Sequence, residues 1–272
     1  MTNGPPGERE ARAVGPPGEP NVVIDANALV AYCDSLLEAG SFADYSPNGL
    51  QVEGERPIRL LVSGVTACAA LIDEAAKLGA DALLVHHGWF WKGEDPRLVG
   101  PKGRRARALM ASGASLIAYH LPLDAHPLYG NNATLGRCLG ILDAQASAIG
   151  NGLVWSGRLE RPLAPGAWAS SVGSQLNRQT TLVDPGVAAV QRVAWCTGGG
   201  QGYLESAAEL GVDAFLSGEI SEQTTHLARE IGIAYLAAGH HATERYGVQA
   251  LGAHLAERFG LEHHFIEIEN PA

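Results

Sequence analysis

Two stretches of the chain repeat each other, and this internal repeat constrains the possible folds more than any other feature of the sequence. KLGADALLVHH (77–87) aligns with ELGVDAFLSGE (209–219) at an offset of 132 residues, which is 209 minus 77. A second pair of stretches aligns further along the chain, around His120 and His240. We infer an internal duplication, which predicts two similar α/β halves related by an approximate two-fold axis.

Apolar, strand-like runs alternate with helical patterns in both halves, which is typical of a largely parallel sheet covered by helices. The predicted strands span 58–65, 81–87, 115–120, 191–197, 213–219 and 233–238. The predicted helices span 68–78, 103–112, 202–210, 221–231 and 244–258, after a first helix that Asp25 can cap. The predicted fold class is therefore α/β, with two similar α/β lobes.

The composition changes along the chain and predicts its division. Residues 1–21 are rich in Pro and Gly, and we predict that they form a flexible N-terminal tail outside the fold. The first α/β lobe is predicted to span 22–144 and the second 191–272. The segment 145–190 connects the two lobes, which are expected to pack together as one unit.

Charge and cysteine content restrict the class of protein. The formal net charge of −10 makes nucleic acid an unlikely partner, because one polyanion repels another. The four cysteines are far apart and form no C-x-x-C pair, so a reducing compartment fits them best. We find no signal peptide and no run near the ~18 apolar residues of a membrane helix. We predict a soluble, cytoplasmic protein without a membrane partner.

More than half of the ten histidines lie in three clusters, each where a predicted strand ends. The clusters are His86-His87, His120-x-x-x-Asp124-x-His126 and His240-His241-x-x-Glu244. Ligands of α/β folds bind at the carboxyl ends of strands. Imidazole nitrogen together with carboxylate oxygen suits a divalent transition metal such as Zn, Mn, Fe, Co or Ni. The clusters therefore predict a metal site.

The spacing within the clusters favours two ions over one. At a strand end, where the chain turns, His86 and His87 can reach two neighbouring ions. His240 is expected to precede a helix and Glu244 to lie in its first turn, so that the two side chains converge. A carboxylate there can bridge two cations ~3.5–4 Å apart, the usual two-metal hydrolytic arrangement. A lone strand-end histidine is usually structural, and H-x-x-x-E can be a helix cap, but three clusters in a duplicated fold favour a metal site.

Other features carry weaker signals. The run TGGGQG (197–202) can hold a phosphate on backbone N–H groups or form a tight turn. A basic run is either a solvated helix face or a steering patch for an anionic substrate; it contains Lys102, Arg104, Arg105 and Arg107.

Several side chains near the clusters are candidates for further roles. Glu219 and His226 are candidates for orienting the ligands or for acid–base chemistry, whereas Ser221 between them is more simply a helix cap. Trp91, in the stretch Trp89–Trp91, is either core or a wall against which a substrate base stacks. Trp91 and Arg245 are the candidates for substrate binding.

Six stretches together resemble the YbgI-type, Nif-three-like dinuclear metal family, whose members are often labelled "GTP cyclohydrolase 1 type 2 homologue". The stretches are DYSPNGLQVEG (44–54), LLVHHGWFWKGE (83–94), HLPLDAHPLYGNNATLG (120–136), RVAWCTGGGQ (192–201), GVDAFLSGEISEQTTH (211–226) and AAGHHATERYG (237–247). The resemblance runs from about residue 25 to the end of the chain, and its motifs are long and specific.

The resemblance implies two α/β lobes with a dinuclear metal site between them. It implies two divalent ions per chain, held by His86, His87, Asp124, His240 and Glu244. His241 is then expected to orient a ligand or to meet the substrate, and His120 is a further acid–base candidate. The resemblance also implies a ring-like homohexamer, a trimer of dimers, and a chain of the short type without an inserted domain.

Two functional hypotheses follow. The first is a metal-dependent hydrolase acting on a nucleotide or a similar anionic small molecule, because two divalent ions outweigh two carboxylates and a hydroxide. The family label specifies opening of the GTP purine ring, but we find no residue set that reads guanine. The second is a non-catalytic metal-binding assembly or regulatory protein. Five ligands for two ions leave open coordination positions, which favours catalysis.

Overall fold

The computed structural model describes residues 23–272, so the predicted tail at 1–21 lies outside the described residues. The described chain is a mixed α/β structure with a five-stranded and a six-stranded sheet. Within residues 23–272, no helix combines the length and the hydropathy needed to cross a membrane. All four cysteines are free.

The first half of the described chain alternates between strands and helices, as its sequence predicts. Its helices are α1 (Ala26–Leu36), α2 (Ala69–Leu78), α3 (Gly100–Ser112), α4 (Leu121–Ala125) and α5 (Asn131–Cys138). Its strands are β1 (Gly49–Val52), β2 (Leu60–Thr66), β3 (Ala82–His87) and β4 (Ser115–Ala118). Asp25 caps α1 by accepting hydrogen bonds from the backbone N–H groups of Asn27 and Ala28, as expected.

The remaining elements follow this alternation only in part. The strands are β5 (Leu142–Ala146), β6 (Trp155–Leu163), β7 (Thr181–Val183), β8 (Val190–Cys196), β9 (Ala214–Ser217), β10 (Ala234–Ala237) and β11 (Glu262–Phe265). The helices are α6 (Pro165–Leu176), α7 (Leu204–Ala208), α8 (Glu222–Ile231) and α9 (His240–Phe259). Strands and α-helices alternate from β8 onward, whereas in the described chain no α-helix separates β5 from β6 or β7 from β8. The helix α9 begins at His240, four residues earlier than predicted, so Glu244 lies in its second turn.

The five-stranded sheet has the order β1-β4-β3-β2-β11 and is parallel except for β1. Alternate residues of β3 face opposite cores, as strand geometry requires. Leu84 packs with Leu29 of α1 and Leu251 of α9, whereas Leu83 packs with Leu71 of α2. Helices therefore cover both faces, which buries the near-continuous apolar run of β3.

The six-stranded sheet has the order β5-β6-β8-β9-β10-β7 and is parallel in its centre, where β8, β9 and β10 lie side by side. Trp195 of β8 packs with Trp168 of α6 on one face. Phe215 of β9 packs with Leu204 of α7 and Ala228 of α8 on the other. This sheet is thus also sandwiched between helices.

Two features of the sheets differ from the predicted lobe boundaries. The strand β11, near the end of the chain, pairs in parallel with β2 and so belongs to the first sheet. The stretch from 142 to 183 supplies β5, β6 and β7 to the second sheet. The reason is the same in both places: strand pairing joins distant segments, and local patterns do not reveal the partner.

One hydrogen-bond pattern occurs in both halves and supports the predicted duplication. The Asp81 carboxylate accepts bonds of 3.0 and 3.1 Å from two successive backbone N–H groups at the start of β2. The Asp213 carboxylate, 132 positions later in the alignment, accepts bonds of 2.9 and 2.7 Å from two successive N–H groups at the start of β8. Each aspartate lies directly before one strand, β3 or β9, and holds the start of the preceding strand, β2 or β8.

Replacing Asp81 with Asn should destabilise the fold by about 1–3 kcal/mol, because a charged acceptor of two backbone bonds is lost. Burial alone would raise the pKa of Asp81, but its hydrogen bonds and Arg56 lower it below the ordinary carboxyl value. Because the pKa of Asp81 is lower in the folded chain than in the unfolded chain, the charged carboxylate stabilises the fold at pH values above the unfolded pKa. This stability is lost as the pH falls through the folded pKa.

Denaturant unfolding at several pH values checks this expectation. The difference between wild type and D81N should be full at pH 7 and should shrink below about pH 4. D73N, at an exposed position of α2, is the matched control and should change little. A constant difference down to pH 2 would contradict the role of the Asp81 charge.

Candidate metal centre

Adjacent histidines end β3, and both turn toward the same carboxylate. His86 is fully buried, and its Nδ1 donates to the Tyr119 carbonyl at 2.9 Å. His87 is partly buried, and its Nδ1 lies 3.3 Å from Thr66 Oγ1. With these outer nitrogens held, both Nε2 atoms approach Glu244 Oε2, at 3.5 and 3.2 Å. The end of β3 thus allows His86 and His87, which are adjacent in sequence, to approach the same carboxylate oxygen.

Asp124 reaches the same place from the short helix α4, which follows β4. Its Oδ1 lies 3.4 Å from His86 Nε2. The same oxygen accepts hydrogen bonds from Asn131 Nδ2 at 2.8 Å and from Thr197 Oγ1 at 3.3 Å. Thr197 directly follows β8 of the second sheet, so both halves of the chain hold this carboxylate.

His240 and Glu244 reach the site from the first two turns of α9. Their spacing of four residues places both side chains on one helix face, with His240 Nε2 3.1 Å from Glu244 Oε2. Gly239 precedes the helix with φ +95°, where a Cβ would overlap the Arg178 guanidinium. The positive φ would strain any other residue, so glycine is favoured at this turn into α9.

These side chains form two overlapping clusters that share Glu244. The first contains His86, Asp124 and Glu244, and the second His87, His240 and Glu244; in each, the ligand atoms lie within 4.8 Å of one another. Within residues 23–272, His86 Nε2 and Glu244 Oε2 are buried and have no hydrogen-bond partner. Buried polar atoms are almost always satisfied, so this pair fits bound cations.

The pKa values of the clustered side chains also fit a site for bound cations. Burial lowers the pKa of His86, but Asp124 and Glu244 raise it to about 9. Burial and the neighbouring His86 lower the pKa of His87 to about 4. Burial raises the pKa of Glu244, yet the surrounding histidines hold it well below its usual range. A proton on His86 thus offsets the buried Glu244 charge, whereas burial raises the pKa of Asp124. A divalent cation would replace the histidine proton.

Glu219 holds the outer nitrogen of His240. Its Oε1 accepts from His240 Nδ1 at 2.7 Å, and Gln201 Nε2 donates to its Oε2 at 3.2 Å. Burial lowers the pKa of His240, but Glu244 and then Glu219 raise it to about 9. A carboxylate on the far nitrogen fixes the orientation of a ligating imidazole.

Two more of the predicted residues lie beside the centre. His120 forms a third cluster with His86 and His87, and its ring centroid lies 5.1 Å from that of His86. The Trp91 ring lies 5.0 Å from His120 and 5.9 Å from His87, so Trp91 forms a wall of the site. Its neighbour Trp89 is buried in the core instead.

Three predicted residues have their contacts elsewhere. His241 and Arg245 each follow a ligand of α9 by one residue, which rotates their side chains by about 100° around the helix. His241 Nε2 pairs with Glu267, and Arg245 donates to the Leu176 carbonyl at 3.0 Å. His226 is exposed and pairs with Glu222 of its own helix. Their predicted roles at the site gain no support from these contacts.

The glycine run, Ser221 and the basic run, which carry the weaker sequence signals, all make structural contacts. Gly198 N–H donates to Thr243 Oγ1 at 3.0 Å, and Gly198 has φ +61°, so the glycine run forms a tight turn here. Ser221 forms a capping box with Thr224 at the start of α8, as expected. In the basic run on α3, Lys102 pairs with Glu94 at 3.0 Å.

Sequence reasoning misses the residues that hold the candidate ligands and His120 in place. They are Asp44, Thr66, Tyr119, Asn131 and Thr197. Asp44 and Asn131 lie in quoted motifs, but nothing local shows which histidine or carboxylate each one meets. Their partners depend on the packing of loops that are far apart in sequence.

The chain is similar to proteins of one family over nearly its whole length. Residues 24–271 match the profile of the family described as Duf34/NIF3 (NGG1p interacting factor 3). A relative from Allochromatium vinosum, named "GTP cyclohydrolase 1 type 2 homolog", is 64% identical over 251 residues, which are 92% of this chain and 99% of the relative.

Solved structures share the fold. A protein described as ybgI, of unknown function, superposes with a TM-score of 0.88 at 49% identity, covering 92% of this chain and 100% of the other. A protein from Thermus thermophilus superposes with a TM-score of 0.82 at 37% identity, again covering 92% of this chain and 100% of the other.

Gly198 provides a sharp test of the centre. A Cβ at this position would overlap Glu244 Oε1 and would lie 3.0 Å from His240 Nε2. G198A should therefore displace the Glu244 carboxylate and lower the metal content of protein loaded with Zn²⁺ or Mn²⁺. G199A is the matched control, because a Cβ there lies 3.7 Å from its nearest neighbour, Glu219 Oε2.

The metal content of both variants, measured after free ions are removed, tests whether Glu244 belongs to the metal centre. We expect a clear loss of bound metal in G198A and wild-type content in G199A. Equal content in the two variants, both shown to be folded by circular dichroism, would contradict the assignment of Glu244 to the centre.

Proposed function

The chain belongs to the Duf34/NIF3 family, and from that premise we propose that it is a dinuclear metal-dependent hydrolase acting on a nucleotide or a similar anionic small molecule. The observation that carries the proposal is the surroundings of Glu244 Oε2. Three imidazole nitrogens lie within 3.5 Å of this buried oxygen, and it has no hydrogen-bond partner within residues 23–272.

The two overlapping clusters suit two divalent ions. One ion would be held by His86, Asp124 and Glu244, the other by His87, His240 and the same Glu244. When bound, such a pair polarises the bond under attack and lowers the pKa of water. Nitrogen and carboxylate ligands fit Zn, Mn, Fe, Co or Ni.

The exposure of the ligands indicates where a substrate enters. The His86 side chain is sealed from solvent, whereas the side chains of His87 and His240 are 15% and 29% exposed. Trp91 stands beside this open side and can pack against a planar group of the substrate. Two divalent ions outweigh the charges of Asp124 and Glu244, so the site favours an anion.

The substrate is proposed only as a class. The name "GTP cyclohydrolase 1 type 2 homolog" belongs to the relatives, and it suggests opening of a purine ring. The sequence contains no recognisable set of residues for binding guanine. Nucleotides as a class fit the positive centre and the Trp91 wall, and GTP is one member to test.

A non-catalytic metal-binding assembly is the competing function. Structural sites close the coordination of their ions with protein ligands. The five ligand side chains here serve two ions, and one side of the centre is exposed, which favours catalysis. We also propose that the chain forms a homohexamer built as a trimer of dimers, an assembly that either function permits.

Replacing Glu244 with Gln should remove both the metal and the activity. The shared oxygen would lose its charge, so we expect metal content to fall from about two ions per chain and nucleotide hydrolysis to fall at least about 100-fold. Product release from a panel of nucleotides, tested with each candidate metal, measures the activity. Metal-loaded wild type that hydrolyses no nucleotide would contradict the proposed function.

Replacing His241 with Ala should leave most of the metal bound, because its Nε2 pairs with Glu267 and not with the cluster. H240A is the matched comparison and should lose metal, since the two positions are neighbours on the same helix turn. Metal analysis of the two variants checks this. If H241A empties the site and H240A does not, the ligand has been assigned to the wrong histidine.

A further inference from the structure

We propose that Asp44 and His120 form a dyad at the open side of the centre, in which His120 Nε2 holds the water that attacks the substrate and Asp44 positions His120. This inference rests on the proposed hydrolase function. It adds Asp44, a residue that belongs to none of the three clusters. It also gives His120 a role other than that of a metal ligand.

Asp44 is held rigidly and is nearly buried. Its side chain is 4% exposed, and its Oδ1 accepts from His120 Nδ1 at 2.7 Å. Its Oδ2 accepts from Asn48 Nδ2 at 2.9 Å and from the backbone N–H of Leu121 at 3.0 Å. A carboxylate with both oxygens engaged cannot turn away, so it fixes the plane and the tautomer of the imidazole that it meets.

The backbone of His120 is fixed as well. Its N–H donates to Asn48 Oδ1 at 2.8 Å, so Asn48 ties the histidine and Asp44 to one loop. With Nδ1–H directed at Asp44, the lone pair of a neutral His120 is on Nε2. Within residues 23–272, this nitrogen has no hydrogen-bond partner, and the His120 ring packs against His86, His87 and Trp91.

His120 differs from the ligating histidines in its distance from the shared carboxylates. His86, His87 and His240 all approach Glu244 Oε2 within 3.5 Å. Among the described residues, the only carboxylate within 4.0 Å of a His120 ring nitrogen is that of Asp44. His120 therefore meets the centre on the side of His86 and His87, where its ligand atom lies within 4.8 Å of theirs, and not at the shared carboxylates.

The internal duplication sharpens this contrast. His120 aligns with His240, and Asp124 aligns with Glu244. In the second half the aligned pair is in contact, at 3.1 Å. In the first half Asp124 turns to His86 instead, and His120 turns to Asp44. The aligned histidines thus have different proposed roles: His240 is a metal ligand, whereas His120 keeps its Nε2 free for a water.

His120 is the more open member of the dyad, with its side chain 16% exposed against 4% for Asp44. An open cavity of about 710 Å³ lies on the Asp44 side, and its lining includes Asp44, Asn48 and Lys92 but not His120. In the proposed step, the oxygen of water bonds to the electrophilic atom and the bond to the leaving group breaks. One water proton stays on the new hydroxyl and the other ends on the leaving group. His120 Nε2 accepts a hydrogen bond from this water and sets its direction of attack.

The test uses the full chain loaded with Co²⁺ and the variants H120A and D44N. Two controls accompany them: H226Q removes an exposed histidine, and D73N removes an exposed aspartate of α2 that lies outside the cavity. Metal content and the visible absorption spectrum of Co²⁺ are recorded first. Then kcat and KM are measured on the best nucleotide substrate of the wild type, with and without added imidazole.

We expect both dyad variants to keep the metal content and the Co²⁺ spectrum of the wild type. H120A should lose on the order of 100-fold in kcat with KM nearly unchanged, and imidazole should restore part of the loss. D44N should lose about 10-fold in kcat, since it acts through His120. H226Q and D73N should match the wild type.

The outcomes separate the inference from the function on which it rests. Loss of an ion or a changed Co²⁺ spectrum in H120A would make His120 a ligand and overturn the inference. Wild-type kcat in H120A would overturn it as well, with the hydrolase function intact. A wild type that binds two ions and hydrolyses no nucleotide would instead defeat the proposed function, and the dyad with it.

Discussion

One buried carboxylate oxygen organises the site. Glu244 Oε2 lies among three imidazole nitrogens, at 3.1, 3.2 and 3.5 Å, in a position from which solvent is excluded. A charge buried this deeply is tolerated only with strong compensation. Protons on His86 and His240, whose pKa values are raised to about 9, supply part of it, and bound cations would take their place. The surrounding fold brings the compensating groups to this one point.

Each sheet contributes one side of the centre. The first sheet ends in His86 and His87, and β4 leads into the helix that carries Asp124. The second sheet leads through Gly239 into α9, which carries His240 and Glu244 and then packs along the first sheet through Leu251. The chain finally returns to the first sheet as β11. Displacing α9 would therefore disturb both the core and the centre.

Much of this could be predicted from the sequence, because the histidine and carboxylate clusters lie at strand ends or helix starts that local patterns reveal. The choice of five candidate ligands among them rests on the family resemblance. The sequence places the start of α9 four residues late, since the polar run GHHA gives no apolar periodicity. The strand β11 escapes prediction because Glu262, His263 and His264 show no alternation of apolar residues. Asp44 escapes it because its partner is 76 residues away on another loop. Contacts of this kind depend on tertiary packing, which a single sequence does not display.

The most direct test of the central claim is the metal content of the wild-type chain, purified without chelator or added metal and compared with the double variant H86A/H87A. The shared carboxylate predicts about two ions per wild-type chain and their loss from the variant. No bound metal in the wild type, even after reconstitution with each candidate ion, would contradict the dinuclear centre.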